Sequence, residues 1–208
     1  MKKTMAFITT LLLSTICLSQ CTLKDLFPVD FGISKFKLST IMASSKNMQE
    51  DNEANKYERA EWKKYDYLNG DSVHYTGVNY KFVNNPCIYS TEKSVFFRFV
   101  DDKLYSMVIF LDFSSTDFEK CKRNYDDLIL IFKNTFTYYD PYISQDLIAN
   151  EQDGEGYWFY NKKDTVKINY LSIEYSIVYE FNKQNIRLFR IKIFYIDLEG
   201  TRLTNEGY

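Results

Sequence analysis

The sequence predicts an α+β fold, two helices packed on an antiparallel sheet. Three observations carry this. Apolar residues alternate from Lys93 to Val100 (Val95, Phe97, Phe99) and again from Leu104 to Phe113 (Tyr105, Met107, Ile109, Leu111, Phe113). Asp101-Asp102-Lys103 separates the two runs, so period and turn describe a hairpin. The period then changes: Phe118, Cys121, Tyr125, Leu128, Ile129, Phe132 and Phe136 recur at helical spacing. Runs rich in β-branched and aromatic residues resume after this helix, so strands flank it on both sides.

The first element is not part of the fold. Met1-Lys2-Lys3 is basic, Met5 to Leu13 is apolar apart from Thr9 and Thr10, and Cys17-Leu18-Ser19 sets small residues where a signal peptidase reads. Residues 1–19 therefore read as a secretory signal peptide, too short and wrongly flanked for a membrane span. Two cuts are open. Cleavage after Ser19 leaves Gln20 as the new N-terminus. Cleavage before Cys21 makes a lipoprotein anchored through the thiol. Leu18, Ser19 and Cys21 resemble a bacterial lipobox, but Gln20 stands where that peptidase takes Gly, Ala or Ser. The pattern of a small residue followed by Gln resembles exported proteins of Bacteroidetes-type bacteria. The expectation is an exported chain, periplasmic or extracellular, starting at Gln20. An outer-membrane lipoprotein is the alternative, and a membrane is a partner only if Cys21 is lipidated.

Residues 20–32 read as an irregular lead-in punctuated by Pro28 and Gly32. Ser34 caps a short helix to about Lys46, with Leu38, Ile41 and Met42 on one face. Residues 46–70 read as a long polar connection carrying Trp62, Tyr65 and Tyr67. Ser72 to Val83 reads as a strand, broken by Asn84-Asn85-Pro86. After the hairpin, Thr116 and Glu119 stand at capping-box spacing before the strong helix, which ends before Asp140-Pro141. An acidic turn, Glu151 to Glu155, precedes strands near Tyr157 to Asn161, Thr165 to Tyr170, Ile173 to Phe181 and Ile186 to Ile196. The tail from Gly200 reads as loosely held.

A weak internal repeat runs through this plan. Val95-Phe96-Phe97-Arg98-Phe99 before a polar turn is similar to Ile177-Val178-Tyr179-Glu180-Phe181 before Asn182, and a helix precedes each at a distance. Residues 20–208 then form one exported domain with repeat halves 28–113 and 114–198. The plan resembles the tandem helix-plus-sheet repeats of β-lactamase-inhibitor-protein-like and PepSY-like exported proteins. The resemblance is architectural, spans roughly the mature chain, and implies a binding or inhibitory module; it carries over no residue.

Composition excludes some classes. Loss of Lys2 and Lys3 takes basic residues from 26 to 24 against 28 acidic ones, and the net charge from −2 to −4. Without clustered Lys and Arg, nucleic acid is not an expected partner. Seventeen Phe, eighteen Tyr and two Trp, with few Gly and Pro, belong to an ordered chain; codons of an AT-rich genome explain part of that load. Of the three cysteines left after the signal, Cys121 reads as a small core residue. Lipidation of Cys21 would leave Cys87 and Cys121 to bridge.

Chemistry-bearing motifs fail one by one. His74 is the only histidine, and nothing after it can supply the base that a nucleophile block such as Gly70-Asp71-Ser72 needs later in the chain. Asp30-Phe31-Gly32 copies a kinase triplet without the loops that must precede it. Glu151, Asp153 and Glu155 do not have EF-hand spacing. No catalytic residue, metal site or cofactor is expected. What remains is aromatic. Tyr138 to Tyr142 follows the strong helix, and Tyr157-Trp158-Phe159-Tyr160 are consecutive in a predicted strand, where side chains alternate. Two of the four must leave the principal core. Tyr157, Trp158, Phe159, Tyr160 and Tyr139 are the candidate binding residues, rimmed by the acidic turn. The expected function is a non-catalytic binding module of the bacterial cell envelope, its partner a protein or an envelope ligand. The alternatives are an exported carboxylate hydrolase and a structural envelope protein.

Overall fold

Thr22 opens a local hydrogen-bonded frame. Its amide and hydroxyl donate to the Asp25 carboxylate at 2.7 and 2.8 Å, and the Asp25 amide donates to the Thr22 carbonyl. This holds a single helical turn, α1 (Leu23–Leu26), where the sequence reads irregular. The structure, a computed structural model, describes residues 21–56, 75–144, 151–152, 154–161, 164–179 and 182–197. The expected signal peptide with Ser19 and Gln20, the aromatics Trp62, Tyr65 and Tyr67, His74, Asp153 and residues 198–208 lie outside the described residues.

The Asp30-Phe31-Gly32 triplet is structural. Gly32 takes φ +79°, a left-handed conformation that suits glycine. Its amide donates to the Leu104 carbonyl, while the Leu104 amide donates to Ile33. Phe27 and Phe31 pack on the Tyr195 ring, each 4.7 Å between centroids. Helix α2 (Lys35–Ala43) follows, with the Ser34 hydroxyl accepting from the Lys37 amide at 3.2 Å. Leu38 and Met42 are buried, but Ile41 is 37 % exposed and lies off the expected face.

Residues 48–50 and 52–56 are not loop. Strand β1 (Met48–Glu50) pairs with β2 (Tyr75–Phe82), and helix α3 begins at 52, described to 56, with Asp51 capping the Ala54 amide at 3.2 Å. Where β1 ends, a side chain takes over the edge of β2. The Asn55 amide oxygen accepts from the Asn79 amide at 2.6 Å, and its nitrogen donates to the Asn79 carbonyl at 3.4 Å. One asparagine thus does what a further strand residue would do.

Strands β2 (Tyr75–Phe82), β3 (Glu92–Val100) and β4 (Lys103–Ser114) form the expected meander. The β3–β4 turn is Asp101-Asp102, both at positive φ (46° and 60°), as a two-residue hairpin loop requires. Asp102 also accepts from the Lys35 amide at 2.9 Å, tying this turn to the first turn of α2. One expectation fails here. The register skips Tyr105, which pairs with no β3 residue, so Leu104 takes the core place beside Phe99. Tyr105 instead lies under the Arg98 guanidinium, 5.5 Å from its ring centre.

Helix α4 (Phe118–Thr135) buries Cys121, Tyr125, Leu128, Ile129 and Phe132 as its stripe predicts, and Phe136 just beyond it. Phe118 is 39 % exposed, against Phe189. The capping box does not form: the Thr116 hydroxyl bonds to that of Ser114, and the helix starts one residue later, from Asp117. Buried Asn124 clamps the chain after β2, accepting from the Tyr89 amide and donating to the Cys87 carbonyl.

Beyond α4 the expected elements shift. Tyr138–Ser144 is strand β5, running through Asp140-Pro141. Glu151–Gln152 is strand β6, not a turn, and strand β7 spans Gly154–Tyr160. Thr165 to Phe181, read as two strands, is one strand of 16 residues to Tyr179, β8 (Asp164–Tyr179), paired along its length with β9 (Asn182–Asp197). The antiparallel sheet runs β1-β2-β3-β4-β9-β8-β7-β5, with β6 paired to β8. Each four-strand run proceeds in chain order from an outer edge to the centre, where β4 meets β9. Helices α1, α2 and α4 share one core with a single sheet face. On the other face Val108, Ile196 and Thr165 are buried, and Phe96, Phe110 and Trp158 are half-buried.

Cys21 is bonded to Cys87, with 5.6 Å between their Cα atoms, and Cys121 is free and buried. The bridge between Cys87 and Cys121 is therefore not made. Burial pushes the Cys121 thiol up to about 12, with Asp112 adding to the rise. No helix among the described residues is long and apolar enough to cross a membrane.

Candidate functional site

The edge strand β5 and its neighbour β7 bring the candidate aromatics together. Register pairs Tyr138 with Tyr160, Tyr139 with Phe159, Asp140 with Trp158 and Pro141 with Tyr157. Alternation then sorts them onto two faces. Phe159 is fully buried in the core against Phe132 and Phe136. Tyr157 is on the same face, half-buried, its ring 6.0 Å from that of Phe159. Trp158 and Tyr160 are half-buried on the opposite face.

β5 supplies the outermost layer. Tyr138 stacks on Tyr160, with centroids 5.5 Å apart and rings 19° from parallel. The Tyr160 hydroxyl donates to Asp140 at 2.9 Å, and the carboxylate holds that hydroxyl above the usual tyrosine range. On the other face Tyr139 lies 6.4 Å from Tyr157 and 5.9 Å from Phe159. The Lys133 ammonium reaches over Tyr139 and Tyr157, 4.9 and 5.2 Å from their centres. Tyr138 is 56 % and Tyr139 48 % exposed. The edge is thus a double-sided aromatic ladder, with a carboxylate on one face and an ammonium on the other.

The candidates divide accordingly. Trp158, Tyr160, Tyr157 and Tyr139 sit within this ladder, while Phe159 is its buried root. The expected acidic rim is not a turn, because Glu151 and Gln152 pair with Ile173 and Ser172 of β8. Asp140 stands at the rim instead. Tyr138, Asp140 and Lys133 were not among the candidates. The Tyr138–Tyr142 cluster signals the first two only once its pairing with β7 is known. Lys133 joins because α4 ends beside the edge.

A second concavity, about 390 Å³, lies over the β2–β4 end of the sheet, lined by Asp51, Lys81, Glu92, Phe110 and Asp112. Its carboxylates are largely committed. Arg190 grips Asp112 at 2.6 and 2.8 Å. Burial raises the Asp51 pKa, but the Lys81 ammonium at 3.0 Å and the amide of Ala54 outweigh it and hold the group below its ordinary range. Among the described residues no three His, Cys, Asp or Glu side chains gather as metal ligands. Comparison with family models, curated proteins and solved structures finds no match to this chain.

Proposed function

We propose that this chain is a non-catalytic binding module, exported to the cell envelope, with the β5–β7 edge as its contact surface. The observation that carries the reading is the pair Tyr138 and Tyr139. They are neighbours on an outermost strand, both about half exposed, and each is backed by rings of β7. Rings already held by stacking lose little freedom on binding, and Tyr and Trp are favoured as interface anchors. Asp140 and Lys133 add one charge of each sign at the rim. Pro141 lacks an amide for an incoming strand, which favours contact through side chains. The edge-to-centre order of both strand runs supports the two-unit reading, 28–113 and 114–198, and with it the likeness to tandem-repeat inhibitory modules. Against a hydrolase, the concavity at Asp51, Glu92 and Asp112 has two of its three carboxylates, Asp51 and Asp112, held by cations.

Trp158→Ala is the first test. Capture of the envelope partner by the folded variant should weaken by about 2 kcal/mol or more, roughly thirtyfold in Kd. Unchanged capture by a variant with wild-type circular dichroism would remove this surface.

A further inference from the structure

The strongest feature outside the edge is the seat of Cys21. Its sulfur is bonded to that of Cys87, and its side chain packs on the core. Both halves of the cystine stand in one hydrogen-bonded frame. The Cys87 amide donates to the Asn85 side chain at 2.9 Å, and Asn85 donates to the Asp25 carbonyl at 2.7 Å. Asn124 of α4 donates to the Cys87 carbonyl at 2.8 Å. On the other side the Thr22 amide, next to Cys21, is spent on Asp25. The N-terminal turn is fastened to the body from its first described residue, with no spacer between Cys21 and the fold.

A lipoprotein anchor needs the same atom. It is a thioether between the Cys21 sulfur and a diacylglyceryl carbon, and a thioether sulfur has no valence left for a disulfide. We propose that the Cys21 thiol is reserved for a structural cystine with Cys87, so that export cleaves the chain upstream of Cys21 and leaves this residue without lipid. On oxidation the two thiols lose two protons and two electrons and the S–S bond forms. A disulfide-carrying oxidoreductase outside the cytoplasm accepts both and becomes a dithiol. This inference does not depend on the binding reading: Cys21 takes no part in the β5–β7 edge.

The test uses native protein purified from its envelope. The denatured chain is titrated with maleimide–polyethylene glycol before and after reduction, and its cysteine peptides are mapped by mass. With residues 1–19 removed, the expected result is one adduct before reduction, on Cys121, and three after it. The Cys21 and Cys87 peptides should be found joined, lighter by two hydrogens than the separate thiols. Cys87→Ser should then show two adducts without reductant, on Cys21 and Cys121, and still no lipid. A diacylglyceryl mass on Cys21 would overturn the proposal, whether Cys87 and Cys121 then react freely or only after reduction. So would three adducts before reduction, or a linked peptide that contains Cys121.

Discussion

Single polar side chains hold several joints of this fold. Asn55 replaces a strand at the edge of β2, answering both the amide and the carbonyl of Asn79 in a buried setting. Asn55→Ala takes this partner from the buried Asn79 amide, while the Asn79 carbonyl keeps the Asp51 amide at 2.9 Å, so denaturant unfolding should show a loss of about 1–3 kcal/mol; a loss below a few tenths would mean water serves equally well. Asp51 is bound both to Lys81 and to the start of α3. Its folded pKa lies below the 3.8 of the free side chain. Its contribution is therefore present above that value and disappears as pH falls through the lower, folded one. Lys81 is mostly exposed, which keeps the pair's share under about 1 kcal/mol. In Asp51→Asn, which keeps a capping oxygen, stability should fall less steeply than in wild type between neutral pH and the acid range; parallel curves would contradict the ion pair. Neither Asn55 nor Asp51 was legible in the sequence. Asn55 finds its partner 24 residues away, and nothing local distinguishes it from a surface residue.

Elements were legible in proportion to how local their signals are. The α4 stripe and the β3–β4 hairpin rest on periodicity and one turn, and both stand in the structure where they were expected. The capping box failed because Ser114 competes for the Thr116 hydroxyl, which spacing alone does not reveal. Tyr105 left its row because one extra residue on β4 moves everything beyond it. β5 was missed since Asp140-Pro141 signals a break, and only an edge position lets a proline stay in a strand. These differences set a comparison on α4. Phe132→Ala should cost about 3–5 kcal/mol, since the ring is fully buried against Phe136 and Phe159. Glu119→Ala should stay within about 0.5 kcal/mol, because no cap depends on it. Similar losses from both in urea denaturation would mean that the helix is capped through Glu119 after all.

At the scale of the molecule, one sheet joins two edge-to-centre strand runs, and three helices close one of its faces. The α+β class was readable because helix and strand periods separate cleanly along the chain. The aromatic ladder was half readable: alternation requires that two of the four β7 rings leave the core, but not which strand stands outside them. Tyr138 and Tyr139 became central only through the pairing of β5 with β7. A rival anchor exists in Phe36 of α2, which is 80 % exposed and lies on another element; scattered exposed apolar residues are ordinary. The two positions can be set against each other directly. A photo-crosslinking amino acid is placed at residue 139 in one variant and at residue 36 in another, and each folded protein is irradiated in the native envelope. The account predicts a discrete adduct from position 139, lost when Trp158→Ala is added, and none from position 36. Adducts from position 36 alone would contradict it.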